Sequence, residues 1–388
     1  MINFFSKIFF FILSILNLIK FFFSNLIEKK IIIFYYFPVK AYSKNIIEIE
    51  QIIKRNKKFK SYFVYNNKSA NLIKHHKNSF YLDFDYIRFI PFKKNLLKKV
   101  KIFISSYVNY VFPPNSINIY ICHDIADAPM VNEDIEKRIF IALSRYNYIF
   151  LSSDSVIEYY KKKFSQYVGR NIKTRFINTG YLKLDNVIRE LKKEKILKNK
   201  ILIAPTYSLM MKDFNISKNL IKIIDTLLGL KENIIYRPHP IDLTNRGNKK
   251  LINLIKDKFS KRKNFEIDLS SSYLKSYASA KLLITDFSGT AYTFAYSTLS
   301  PVIFFSKNEK KLLRNKNNDL YYFKDRKYVG EICNNVSQLS SIINNMNKKK
   351  FFYSKRIRLI RKERIKYLNK SLNKTSKVII DLKNKYFN

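Results

Sequence analysis

The chain has 388 residues and carries 74 Lys and Arg against 29 Asp and Glu, a net charge of +45. That length supports two domains of ordinary size, each with its own core. Two cysteines far apart, Cys122 and Cys333, exclude a disulfide framework and suit a reducing cytosol, and no Cys/His cluster has zinc-ligand spacing.

The charge admits two readings. One is nucleic-acid binding. The other is a compositional bias toward Lys, Asn and Ile, combined with an anionic membrane and phosphate-rich substrates. Lysines are spread through every segment, as in Lys193 to Lys200 and Asn344 to Lys350. No basic stretch interleaved with aromatics stands out. The second reading is preferred, and nucleic acid is not the expected partner.

Met1 to Ile27 is strongly apolar, interrupted by Lys7 and Lys20. Its uninterrupted part, Ile8 to Leu16, is shorter than the roughly 20 residues of a spanning helix. No small-residue cleavage site follows, which argues against a secretory signal. A helix lying in the membrane interface fits, its lysines reaching for the headgroups. A buried packing helix and a true span are the alternatives. Ile31 to Phe37 reads as the first strand, and Tyr42 to Lys57 as a helix with apolar Ile46, Ile49 and Ile53. Strands are expected at Tyr62 to Tyr65, Lys101 to Ile104, Ile117 to Cys122 and Tyr148 to Leu151. Helices are expected from Glu133 to Leu143 and Ser155 to Phe164. Such alternation predicts a parallel sheet.

A second set begins with a strand at Ile201, a helix from Ile216 to Leu230, a strand at Ile234 and a helix from Lys249 to Phe259. A short strand near Phe265 and a helix from Tyr273 to Ala278 follow. Leu282 to Thr285 is an apolar run of the kind a buried parallel strand makes. Thr290 to Thr298 fits a short helix, and Val302 to Phe305 another strand. Two such sets joined near Gly180 predict two Rossmann-like domains with an active cleft between them. Lys348 to Tyr386 reads as a very basic helix, either a solvated face or a surface drawn to anionic lipid.

Three strand ends hold chemically capable residues. Ala204-Pro205-Thr206 ends one strand in a Pro-Thr turn. Arg237-Pro238-His239-Pro240 ends another, with an Arg donor fork and an imidazole set between rigid prolines. Asp286-Phe287-Ser288-Gly289-Thr290 turns a strand sharply into a helix, where free backbone N–H groups attract phosphate. The bland reading of that last turn is an ordinary N-cap. Of the four histidines, His75 and His76 sit in a Lys-rich loop and read as solvated surface. His123 follows the strand ending at Cys122; it either takes the proton of an attacking hydroxyl or bonds to Asp124 or Asp127. Neither a G-x-x-x-x-G-K-S/T loop nor a G-x-G-x-x-G turn occurs, so ATP hydrolysis and NAD chemistry have no support.

In this order and spacing, the motifs resemble the CDP-glycerol glycerophosphotransferase family, teichoic-acid-type enzymes that transfer polyol phosphate from a CDP-polyol. The family's A-P-T, R-x-H-P and D-Y/F-S-S are matched by Ala204-Pro205-Thr206, Arg237-Pro238-His239-Pro240 and Asp286-Phe287-Ser288-Gly289. Gly180 to Asp185 looks like its G-x-P-R/K-x-D hinge, and Cys122-His123-Asp124 sits where it has W-H-G. The resemblance runs from about Thr179 to Phe305. The chain departs from the pattern at Gly289 (usually Ser), Thr293 (often acidic) and Ser208 (often Arg).

The resemblance implies a GT-B-type α/β fold of two Rossmann-like domains. It implies His123 as general base, with His239 and Arg237 neutralising the diphosphate as CMP leaves. Pro205, Thr206, Ser288, Gly289 and Thr290 would line the same phosphates. Asp286 is expected to cap the turn or orient His239, held ionised by a nearby positive cluster. The donor is CDP-linked, the acceptor a surface polymer or a lipid-linked hydroxyl, and the place the inner face of the cell membrane. No metal and no cofactor besides the activated donor is implied. The alternatives are a GT-B glycosyltransferase using a nucleotide sugar, and a basic membrane- or nucleic-acid-associated protein with a decayed site. Expected boundaries are an apolar membrane-associating segment over 1–29, an acceptor domain over 30–178, a nucleotide-donor domain over 179–347 and a basic helix over 348–388.

Overall fold

The computed structural model describes residues 2–26, 31–37, 43–55, 59–66, 78–122, 133–169, 171–208, 215–244, 246–314 and 321–387. They form two units: Met1–His123 with Asp134–Asp185 and Arg364–Asn388, and Asp124–Glu133 with Asn186–Glu363.

Unit 1 is built on seven parallel strands: β1 (Ile31–Phe37), β2 (Phe59–Tyr65), β3 (Ser79–Tyr81), β4 (Val100–Ser105), β5 (Ile117–Ile121), β6 (Tyr148–Leu151) and β7 (Arg175–Asn178). Their order is β3-β2-β1-β4-β5-β6-β7. The central strands are buried on both faces, which is why they read as unbroken Ile, Phe and Tyr runs rather than as alternation. Ile32, Phe34, Tyr62 and Phe103 face α1 (Ile2–Ser24). Ile33, Tyr35, Phe63 and Ile104 face α2 (Ser43–Lys54) and the C-terminal helix Ser371–Phe387.

The apolar N-terminal segment is therefore part of unit 1 and not a separate piece ending at residue 29. One stripe of α1, through Ser14, Leu18 and Phe21, is buried on the sheet. Tyr62 donates to Asn25 Oδ1 at 2.8 Å, and Lys99 Nζ donates to the carbonyls of Asn25 and Leu26, both at 2.5 Å. These bonds fasten the helix's last turn.

Unit 2 holds β8 (Lys200–Ile203), β9 (Asn233–Tyr236), β10 (Phe265–Ile267), β11 (Ala280–Thr285), β12 (Val302–Phe305) and β13 (Gly330–Cys333), all parallel, in the order β10-β9-β8-β11-β12-β13. The order runs outward in both directions from β8 and β11. The topological switch point therefore lies between these two strands.

The basic C-terminal stretch is not one helix. The helix Lys350–Arg364 belongs to unit 2 up to Glu363, and Ser371–Phe387 lies in unit 1. Tyr367 and Asn369 adopt left-handed backbone between them, which an α-helix cannot continue through. The return is held at Asp185, whose carboxylate accepts from the N–H groups of Asn369 (2.7 Å) and Ser371 (2.9 Å). Gly180 sits against this crossing with φ +82, and a Cβ there would lie 2.3 Å from Ser371 Oγ. This packing moves the unit boundary to Asp185/Asn186, within the helix Leu182–Leu191, several residues past the expected 178/179.

Candidate functional site

The ends of β8 and β11 flank the switch point of unit 2, where open α/β sheets receive ligands. Ala204 continues the sheet, its N–H donating to Ile284 O at 3.1 Å, while Thr285 Oγ1 donates back to Ala204 O at 2.6 Å. Pro205 then turns the chain. Asp286, 1% exposed, holds the turn from the other strand. Its Oδ1 accepts from Thr206 N at 3.0 Å and its Oδ2 from Ile216 N at 3.2 Å. Asp286 thus ties the two strand ends together, and neither of these bonds involves His239.

The main influences on Asp286 are burial and backbone N–H groups rather than the expected positive cluster. Burial pushes its carboxyl up to about 6, against the pull of backbone N–H groups from Thr206, Ile216, Asp286 and Phe287. The sign follows directly. A raised folded-state value means the folded chain binds the proton more tightly than the unfolded chain, so this contribution to stability is full below about pH 4. It is lost as pH rises to about 6. From 3.8 to about 6, at about 1.4 kcal/mol per pH unit, the loss is about 3 kcal/mol. Urea titrations of wild type and Asp286→Asn at pH 4 and 7 should show wild type losing ground to the variant by about that amount. A pH-independent difference would show that Asp286 titrates normally. Asp286→Ala, which strands two buried N–H groups, should cost about 2–4 kcal/mol at pH 4, and less at pH 7 for the same reason.

The exit of β9 is built next to this turn. His239 O accepts from Asp242 N at 2.8 Å, and His239 Nδ1 accepts from Ile241 N at 3.3 Å. An Nδ1 that accepts must carry its proton on Nε2, so the neutral ring presents an N–H donor outward. Burial lowers the imidazole below its ordinary value, opposed by the Asp242 charge. Asp242, itself buried, also receives Ser208 N and Ser208 Oγ, the latter at 2.7 Å. The Tyr207 ring lies 6.0 Å from that of His239.

At β11 the chain turns through Ser288 and Gly289 into a helix, Thr290–Thr298. Ser288 Oγ accepts from Thr290 N at 3.3 Å, so that N–H serves the cap itself. A Cβ built on Gly289 meets nothing within 4 Å, and the second Ser of the family pattern would fit there. Tyr322 supports the turn from below, donating to Asp286 O at 3.1 Å and Ser288 O at 3.3 Å. It is held in turn by Arg326, whose buried guanidinium lies over Phe304, Tyr322 and Phe323 and is paired with Glu309 at 2.9 Å.

Arg237 differs from expectation. Its backbone N–H joins β8 through Ile203 O, but its guanidinium turns to the loop after β10. Nη1 pairs with Asp268 at 2.5 Å and reaches Ser272 O at 3.2 Å, and Nη2 donates to Ser270 O at 2.9 Å. Asp268 also accepts from Ser270 N, Ser270 Oγ and Ser276 Oγ. Burial raises the Asp268 carboxyl, but the bonds from Ser270, Ser276 and Arg237 outweigh it and hold it below its ordinary value. Arg237 braces this loop, on the same strand-end edge that carries the Asp286 and His239 turns.

The structure thus gathers Pro205, Thr206, Arg237, His239, Asp286, Ser288, Gly289 and Thr290 at one edge of one sheet. His123, with Asp124 and Asp127, lies outside the described residues, as do His75 and His76. Cys122, just before His123, extends β5 through a bond from its N–H to Phe150 O at 3.1 Å. Asp242, Asp268 and Tyr322 were not anticipated. Only Asp242 had a cue, an acid in the first turn behind a Pro. Among the described residues no group of His, Cys, Asp and Glu is placed to hold a metal ion. A groove of about 850 Å³ lies beside β7 in unit 1. Its lining of Asp154, Glu158, Lys161, Arg175 and Lys385 mixes both charges.

Residues 17–380 match the family described as CDP-glycerol:poly(glycerophosphate) glycerophosphotransferase. No curated protein matches the chain. Among solved structures, the wall teichoic acid polymerase TagF superimposes with a TM-score of 0.59 at 18% identity, covering 99% of this chain and 98% of that one. A putative UDP-N-acetylglucosamine 2-epimerase from Listeria monocytogenes gives 0.59 at 9% identity, with 93% and 97% covered. HepE from Anabaena, in complex with UDP, gives 0.51 at 13% identity, with 91% and 100% covered. These likenesses establish the fold, a GT-B-like pair of parallel sheets.

Proposed function

The chain belongs to the CDP-glycerol:poly(glycerophosphate) glycerophosphotransferase family, and on that premise we propose how its own residues carry the transfer of polyol phosphate from a CDP-linked donor to a polymer hydroxyl. The acceptor oxygen attacks the phosphorus that bears the polyol. The bond from that phosphorus to the bridging oxygen breaks, and CMP leaves with the electron pair. The hydroxyl proton passes to a base, for which His123 is the candidate. His239 offers its Nε2–H to the diphosphate as charge builds on the departing oxygen. The Ser288-Gly289 turn and the Pro205-Thr206 turn form the rest of the phosphate cradle, and Asp286 keeps them in register. The observation that carries this reading is the Asp286 tie at the switch point, because it fixes both turns where a nucleotide is bound in such sheets. The donor needs no cofactor, being already activated. The acceptor is a polymer or lipid-linked chain at the cytoplasmic face of an anionic membrane, and glycerol is the transferred polyol.

Thermal shift with CDP-glycerol, CDP-ribitol and UDP- or CMP-sugars tests the donor. CDP-glycerol should raise the midpoint most, since ligand at 100 times its Kd adds about 2.7 kcal/mol to the folded state. CMP release in the presence of a glycerol-phosphate polymer should follow. Stabilisation by a UDP-sugar alone would assign the chain to the glycosyltransferases.

Arg237 here acts through the loop it braces. Arg237→Ala and Asp268→Ala should therefore raise the donor KM by similar factors, with the double variant no worse than either, a coupling of about 1 kcal/mol or more. Additive losses would show Arg237 contacting the donor independently of Asp268.

A further inference from the structure

β7 is the last strand of its sheet, so its outer side is open. The N–H groups of Arg175 and Thr179 go to Asn147 O (2.8 Å) and Leu151 O (3.0 Å) on the β6 side. By alternation, those of Phe176 and Asn178 face outward. The groove of about 850 Å³ runs along this open edge, walled by the helix Asp154–Tyr167 on one face of the sheet and by Ser371–Phe387 on the other. That volume suits a drug-sized ligand or a short stretch of polymer. Its two carboxylates are matched, Asp154 with Lys366 at 2.7 Å and Glu158 with Lys161 at 2.8 Å. Arg175 and Lys385 are the cations in excess, because no carboxylate among the described residues pairs with either. Both act on one pair of hydroxyls, Tyr148 and Tyr386, which meet at 2.8 Å. The bond to Tyr148 lowers the Tyr386 hydroxyl against burial, and the charges of Lys385 and Arg175 add to it.

We propose that this groove is a second acceptor subsite, which holds a stretch of polyol-phosphate chain behind its reacting end. The proposal rests on the acceptor reading above and adds where the rest of the polymer lies. Such a chain alternates single negative charges with carbons and hydroxyls. Arg175 and Lys385 take the phosphates, together with the outward N–H groups of β7. Hydroxyls donate to Glu158, whose side chain is 68% accessible, and the carbons rest on Ile157, Ile177 and Leu382. The groove reaches Asp154, three residues past the end of β6, and β6 neighbours the strand that Cys122 extends. It therefore leads to the strand-end edge of this sheet, where the reacting hydroxyl is received on the proposed reading. A nucleic acid fits less well, because its bases need a free ring to stack on. Phe176 spends its ring on Phe164, with centroids 5.0 Å apart, and Lys385 Nζ lies over the Tyr386 ring at 5.6 Å.

Calorimetric titration of the full chain with poly(glycerol phosphate), in the absence of donor, tests the groove directly. Wild type should bind the polymer, more weakly at high salt. Arg175→Ala with Lys385→Ala should lower the affinity by roughly tenfold or more. Both side chains are at the surface, and circular dichroism confirms that the variant folds. Inorganic polyphosphate, which has the charges without the hydroxyls, should bind less well to wild type. Glu158→Gln should narrow that difference, since it removes the hydroxyl acceptor and releases Lys161. In steady-state CMP release, the Arg175/Lys385 variant should raise the KM for a long polymer. It should leave kcat, the donor KM and the KM of the shortest acceptor that supports turnover as in wild type. Unchanged polymer affinity in that variant, or a KM raised equally for short and long acceptors, overturns the subsite. Equal binding of polyphosphate and polymer reduces it to a site for any anion, and tighter binding of single-stranded DNA assigns it to nucleic acid; either outcome overturns the proposal. Polymer binding by a chain that releases no CMP would sink the proposed reaction and leave the groove's role standing, so the two failures are told apart.

Discussion

His239→Ala is expected to lower turnover by roughly 10²–10⁴-fold and to raise the donor KM as well. Both effects come from one proton. Ile241 N occupies Nδ1, so the ring would meet the donor with its Nε2–H and hold the diphosphate at rest and more strongly as CMP departs. Since burial lowers this imidazole, it is neutral at pH 7 and serves as a fixed donor rather than a mobile acid. Adding a proton at Nδ1 would set two N–H groups against each other and open the turn. The depressed value therefore contributes stability that is present above the ordinary imidazole range and lost as pH falls through it. His239→Gln, whose amide can reach the Nε2 position, should recover part of the KM loss that Ala shows. If Ala and Gln are equally poor while His239→Ala keeps wild-type donor affinity, the ring does not touch the diphosphate. The measurement is a steady-state profile of CMP release against donor concentration for the three proteins.

Part of this arrangement is legible in the sequence. The strands at Ile31, Ile117, Ile201 and Leu282 were legible because buried parallel strands must be apolar on both faces, which leaves unbroken runs. The edge strands β3, β7 and β13 were not. They are half solvated or very short, and Ser79, Arg175 and Glu331 dilute the apolar pattern. In the site, the turn residues were legible through Pro and Gly, whose backbone limits mark strand exits locally. What the side chains do to one another was not. Arg237 and Asp268 are 31 positions apart, and Asp286 and Thr206 are 80 apart. Such pairings depend on strand order, which local composition does not encode. The break at Tyr367 to Asn369 was hidden for a related reason. Its left-handed residues are not glycines, and the carboxylate that receives the chain, Asp185, belongs to a helix 184 positions earlier.

His123→Ala should lower turnover by roughly 10²–10⁴-fold while leaving donor affinity near wild type. The attacking group is a neutral hydroxyl, which needs a base to take its proton as the new P–O bond forms. His123 follows directly on Cys122, which extends β5 in the interior of unit 1's parallel sheet, and strand ends of such sheets are where substrates are received. On the proposed reading His123 serves the acceptor, through its sequence match to the family's W-H-G position, and His239 serves the donor. Removing His123 should therefore spare the thermal shift given by CDP-glycerol, and removing His239 should diminish it. The wild-type rate should rise with pH through the imidazole range, since only the unprotonated ring accepts a proton, and this limb should vanish in His123→Ala. The two substitutions then separate cleanly: one flattens the pH profile at full donor affinity, the other weakens the donor and leaves the limb in place. Near-normal turnover in His123→Ala would take His123 out of the reaction. The proton would then pass to Asp124, to Asp127 or to a phosphate of the acceptor itself.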